Sequence, residues 1–289
     1  MPVAASLGPQ FQREVEVPAR FSAIAALIVA LLVTLASFTG ISDPATYARE
    51  TASWRAQGIG QDWIDLLIAA PWLVVSAIAT LRGSRRASLM LGGGLAYTAY
   101  SFVVYAFDVH FNQLFLVYCA ILGLSVYGLI ALALALAGQD VRGWFTDRAP
   151  RRVASVMMMA TAGVFALMWL ADDVPAVIRG EPPANLAEVG LPTNAIHVLD
   201  LSLVLPALFA SGVLLWRQRG AGYVLATIAM GFCVLMDLNI AGIVVALQRA
   251  GLPADLTLAC VFGVVALFAA VLLVLLLRSL GGPRRVTAR

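Results

Sequence analysis

Residues 65–82 read DLLIAAPWLVVSAIATLR and residues 200–217 read DLSLVLPALFASGVLLWR, and these two stretches decide the architecture. Each opens on an aspartate, places a proline six residues later and closes on an arginine eleven residues beyond that. The offset is 135 throughout: Asp200 against Asp65, Pro206 against Pro71, Arg217 against Arg82. Leu66, Leu73 and Ser76 meet Leu201, Leu208 and Ser211 at the same offset. Both stretches are apolar over a length that spans a bilayer, so they read as one transmembrane helix used twice. The competing reading is ordinary helix grammar that recurs by chance.

The rest of the chain has the composition of a membrane protein. It is 289 residues long, 61% hydrophobic and only 12% charged, with a mean hydropathy of +0.90. Apolar content on that scale is buried in lipid rather than in a water-surrounded core. A net charge of +3 does not indicate nucleic acid, because the basic residues sit in short clusters between apolar runs. All nineteen are arginines, and the absence of lysine excludes a retinal-type Schiff base or a lysine nucleophile. Cys119, Cys233 and Cys260 lie inside apolar runs at spacings unlike a metal or disulfide framework.

Eight runs of spanning length are expected, at 21–40, 62–81, 87–107, 113–137, 153–171, 196–216, 221–246 and 256–278. The first is read as a helix rather than a cleaved signal peptide, since no small-residue cleavage site follows a short apolar region. Fifteen arginines fall in the termini and alternate loops, including RGSRR (82–86) and GQDVRGWFTDRAPRR (138–152). Only Arg49, Arg55, Arg179 and Arg249 fall on the other side. That bias places both termini in the cytoplasm of a bacterial inner membrane and leaves the outer loops acidic. The fold expected is therefore an all-α membrane protein with eight transmembrane helices in two parallel-oriented four-helix repeats. Its parts are an N-terminal segment (1–20), a first repeat (21–137), a cytoplasmic linker (138–152), a second repeat (153–278) and a tail (279–289). Outer loops 41–61 and 172–195 each precede one of the matching helices, which extends the repeat from one helix to four.

On this reading Asp62, Asp65, His197 and Asp200 lie in or near first turns on the outer side, paired three residues apart on a common helical face. They have the ligand types for a divalent metal, or for a proton- or cation-coupled site. The plain alternative is that the acids cap free N–H groups at the positive end of the helix dipole. Ser76 and Ser211 follow Asp65 and Asp200 by about three turns and would extend a polar stripe inward. Pro71 and Pro206 interrupt the helical ladder between them, and broken helices at matching positions of two repeats point to transporter binding sites. Asp237 is the deepest charge in the chain, with Asn239 at the same level; capping cannot account for it, though a structural hydrogen bond could. Gly92, Gly93 and Gly94 permit close helix approach, and Tyr105 and Trp63 read as belt anchors or ligands. His110 and His197 are the only histidines, both outward, and a bis-histidine haem is disfavoured because His110 falls in a turn.

GQDW (60–63), RGS (82–84), FNQLFLVY (111–118) and NAIHVLDL (194–201) followed by Pro206 together resemble an uncharacterised family of bacterial integral membrane proteins, over much of residues 60–225. The resemblance implies the membrane architecture and carries no activity, cofactor or catalytic residue. DLN at 237–239 stands outside it. Three functions remain open on the sequence. The first is an outward-facing site between repeats that binds or transports a cation or a small cationic or neutral solute through carboxylate protonation. The others are a membrane-embedded metal or redox enzyme, and a structural subunit of a homo-oligomer or larger membrane complex.

Overall fold

The protein, seen in a computed structural model, is helical throughout its described residues, 9–137 and 139–281. No strand occurs among them; a single bridge pairs Phe145 with Leu280. Residues 1–8 of the expected N-terminal segment, Gly138 of the linker and 282–289 of the expected tail lie outside the described residues. Eight helices are long and apolar enough to cross a bilayer: α1 (Pro9–Ser42), α2 (Ala52–Leu81), α3 (Arg85–Asp108), α4 (Phe115–Leu136), α5 (Arg151–Arg179), α6 (Ala195–Trp216), α7 (Gly220–Arg249) and α8 (Leu256–Arg278). The protein is a multi-pass integral membrane protein.

Two of the expected loops are largely helix. α2 begins at Ala52 rather than at 62, where Thr51 Oγ1 accepts from the Trp54 N–H at 3.2 Å. The stretch ASWRAQGIGQ looks like a loop because it is polar and carries two glycines. It is helical because it packs along α7, and Gly60 is what lets it do so. A Cβ on Gly60 would stand 2.8 Å from the Ile243 Cα. The 172–195 segment likewise contains the end of α5, which continues through Pro175, and a short helix at Ala184–Val189.

α2 and α6 each change register once. In α2 the five residues Asp65–Ala69 form a π-turn, and in α6 the five residues Asp200–Val204 do the same. The Ala70 N–H reaches back to the Asp65 carbonyl and the Leu205 N–H to the Asp200 carbonyl. The next residue is Pro71 or Pro206. A proline has no N–H to give and its ring crowds the carbonyl four residues back, so widening the turn just before it relieves the clash.

The register change lets one helix serve two neighbours. The N-terminal half of α2 packs on α7, while its C-terminal half packs on α1 and α3. α1 and α3 also pack on α4, so α1–α4 close into a bundle. α3 and α7 cross where a Cβ on Gly93 would lie 2.8 Å from the Gly231 Cα. Among the later helices, α5 packs on α6, α6 on α7 and α7 on α8. α5 and α8 have no interface comparable to that between α1 and α4, and they meet through the rings of Phe165 and Phe262, 6.3 Å apart.

At the arginine-rich ends the linker is held. Arg142 donates to the Gln218 carbonyl and to Gln218 Oε1, both at 3.0 Å, and Gly281 donates to the Trp144 carbonyl at 2.8 Å.

Candidate functional site

Asp65 and Asp200 each stand sixteen residues before the C-terminal ends of α2 and α6, and Asp237 stands seventeen after the start of α7. At about 1.5 Å per residue, all three acids lie at one level, roughly 24–26 Å from the arginine-rich side. Their environments differ.

The two acids of α2 are sealed inside helix contacts. Asp62 is 2% exposed and accepts from Tyr47 Oη at 2.7 Å and from Tyr105 Oη at 2.8 Å. Asp65 is fully buried and accepts from Tyr97 Oη at 2.7 Å. With the helix start ten residues before Asp62, neither acid is a cap, and the first-turn placement is corrected. Tyr105, read as a belt anchor or a ligand near the outer boundary, is a buried hydrogen-bond donor three residues before the end of α3. Gly40 of α1 lies so close that a Cβ there would strike Asp62 Oδ2.

Tyr47 comes from the connection between α1 and α2, outside the spans. Burial, and then the neighbouring Asp62 carboxylate, push its hydroxyl well above the usual 10.0. Because the folded pKa is the higher one, the unfolded chain loses this proton first. The stabilisation is therefore intact below about pH 10 and declines as pH rises beyond it. Tyr47→Phe is expected to cost about 1 kcal/mol at neutral pH and to make the alkaline decline shallower, as read by thermal unfolding in detergent.

Asp200 sits in its π-turn, where its Oδ2 accepts from Trp169 Nε1 at 2.8 Å. The Trp169 ring stacks on His197 at 4.2 Å between centroids, and His197 Nδ1 lies 3.0 Å from Asp173 Oδ1. His197 is in the first turn of α6, as expected, with Asn194 capping that helix through its Oδ1 at 3.1 Å. Asp173 and His197 line an open cleft of about 690 Å³ on the acidic side, together with Glu181 and Asn194. Asp200 and Trp169 face the other way, into a second cavity of about 710 Å³ within the membrane-spanning region.

That second cavity is where α5 and α8 fail to close. Asp200 and Asp237 both line it, with Gln61, Asn239 and Tyr100 among its polar residues and Phe165, Phe232 and Phe262 among its apolar walls. Asp237 is 7% exposed and its Oδ2 is buried without a hydrogen-bond partner among the described residues. Asn239 Nδ2 donates to Gln61 Oε1 at 3.3 Å, while Asn239 Oδ1 and Gln61 Nε2 have no partner. Asp62 and Asp65 are not part of the cavity wall. Among the described residues its charged lining is Asp200 and Asp237 alone.

Several expected members fall elsewhere. Ser76 Oγ donates to the Trp72 carbonyl at 2.7 Å and Ser211 Oγ to the Ala207 carbonyl at 2.6 Å, so the polar stripe closes on its own backbone and does not reach the cavity. Pro71 and Pro206 act on the helix register and are not in the wall. His110 is engaged by Glu50, through its N–H at 2.8 Å and its Nδ1 at 3.0 Å. Asp62, His110 and His197 therefore each have separate partners, and among the described residues no group of three His, Cys, Asp or Glu side chains gathers as a metal site. The sequence alone does not mark Trp169, Tyr100, Gln61 or Asp173 as site residues. For Trp169 and Asp173 the available signal is their four-residue spacing, one helical turn.

Compared with known proteins, the chain matches no family model, no curated protein and no solved structure.

Proposed function

We propose that this protein binds, and by binding can transport, a cation or small solute inside the membrane, in the cavity shared by Asp200 and Asp237, with carboxylate protonation coupled to occupancy. The observation that carries the reading is Asp237. A buried carboxylate without a hydrogen bond costs stability, and a chain keeps one where a ligand or a proton satisfies it. The matched π-turns at Asp65 and Asp200 support two four-helix repeats of like orientation, and the arginine bias supports cytoplasmic termini. Asp200, held by Trp169, is the fixed acid; Asp237 is the one free to exchange a proton for a cation.

The test can be run before any ligand is identified. Infrared difference spectra of the purified protein between acid and alkaline pH should show the C=O band of a protonated carboxyl that disappears in Asp237→Asn. The same substitution should leave the fold intact and raise its melting temperature, because it removes an unsatisfied buried charge. A band unchanged in both Asp237→Asn and Asp200→Asn would sink the proposal.

A further inference from the structure

The composition of the cavity wall narrows the ligand class further, granted that the cavity is the binding site. A bare inorganic cation needs several oxygen ligands at once, and among the described residues no three His, Cys, Asp or Glu side chains gather, so Asp200 and Asp237 are the only anionic ligands this cavity offers. Asp200 already spends one oxygen on Trp169. Aromatic rings take up the remaining role. Trp169, bonded to Asp200, has its ring centroid 5.9 Å from Phe165, and Phe165 lies 6.3 Å from Phe262. Tyr100 and Phe232, also in the wall, form an edge-to-face pair at 5.7 Å. Aromatic faces stabilise an organic cation that has shed its water, and carboxylates set its charge.

The open side of the cavity points the same way. Val164 of α5 and Val261 of α8 both line it and are 55% and 50% exposed, and α5 and α8 share no extended interface that would cover the opening between them. The gap between α5 and α8 is therefore continuous with the lipid-facing surface. At this opening the Phe165 and Phe262 rings join the two helices, and Asp200 and Asp237, 8% and 7% exposed, are buried.

We infer that the ligand is an amphipathic organic monocation, drawn from the bilayer between α5 and α8, with its charge at Asp237 and Asp200 and its apolar bulk against the Phe165, Phe232 and Phe262 rings. A volume of about 710 Å³ suits a molecule of drug-like size.

The probes are tetraphenylphosphonium, its anionic counterpart tetraphenylborate, and the small hydrophilic cation tetramethylammonium, titrated against the protein in lipid nanodiscs with empty nanodiscs subtracted. Saturable tetraphenylphosphonium binding is expected, weakened about tenfold or more in Asp237→Asn and about as much in Phe165→Ala. Tetraphenylborate should show no saturable binding. If tetramethylammonium binds in an Asp237-dependent way and tetraphenylphosphonium does not, the cavity remains a cation site and the amphipathic class is wrong. If both phenyl ions bind alike and Asp237→Asn changes neither, the inference is overturned, because shape and not charge governs binding. If no probe binds and the Asp237-dependent infrared band is absent as well, the inference and the function it rests on fall together. No binding with that band present overturns the ligand class alone.

Discussion

Gly93→Val is expected to cost about 3 kcal/mol or more, or to prevent folding outright. Gly93 is where α3 of the first bundle crosses α7, and its hydrogen stands against backbone: the Gly231 Cα, the Gly231 carbonyl carbon and the Ile228 oxygen all lie within 3.1 Å of where a Cβ would be. Backbone cannot swing aside as the end of a side chain can, so two helices must separate along their length. The lost contacts include the buried Tyr97 and Leu235 a turn further on. The comparison that isolates the effect is Gly163→Ala, at a helical glycine with nothing within 4 Å. There the gain in helix propensity, up to about 1 kcal/mol, should raise the melting temperature slightly. Size-exclusion of detergent extracts after a temperature series reads both. Equal melting temperatures for Gly93→Val and the unaltered protein would mean that the two backbones do not touch at this crossing.

Asp62→Ala is the second large effect, expected at about 2–4 kcal/mol. The substitution takes the only acceptor from the buried Tyr47 hydroxyl and leaves the Tyr105 hydroxyl with its longer bond to the Gly58 carbonyl at 3.4 Å, and each weakened group carries a penalty of its own. Asp62→Asn keeps one acceptor oxygen and offers an amide the second hydroxyl can accept from, so about 1–2 kcal/mol is expected. Asp62 is not in the wall of the cavity, so Asp62→Asn should bind tetraphenylphosphonium as the unaltered protein does. A loss of binding with an unchanged melting temperature would reverse the division between sealing acids and binding acids.

The parts of this structure that are legible in the sequence are those written in periodic or repeated spacing. Eight apolar runs are eight helices, and the Asp–Pro interval of six, present twice, corresponds to two π-turns, each set just before its proline. Asp237 stands out because no helix end is near enough to explain it. The start of α2 is not legible, since Gly58 and Gly60 lower helix propensity and only the facing surface of α7 shows why Gly60 is there. The serines mislead for a related reason. Spacing puts Ser76 and Ser211 on a face but does not reveal that a hydroxyl in a membrane helix finds the carbonyl four residues back. Trp169 and Asp200 are thirty-one residues apart, and their bond depends on how α5 leans on α6. The cavity itself is a missing interface, and residue spacing records contacts that form more readily than ones that do not.

That missing interface alters what an affinity for this protein would mean. A gap of apolar residues between α5 and α8 that opens toward hydrocarbon favours acyl chains over water. Any ligand therefore competes with the surrounding lipid, and its effective concentration is its mole fraction in the bilayer. Chain length and unsaturation then become variables of binding on a par with salt and pH. The same protein moved into a membrane of shorter or more disordered lipid would return a different dissociation constant with no residue changed.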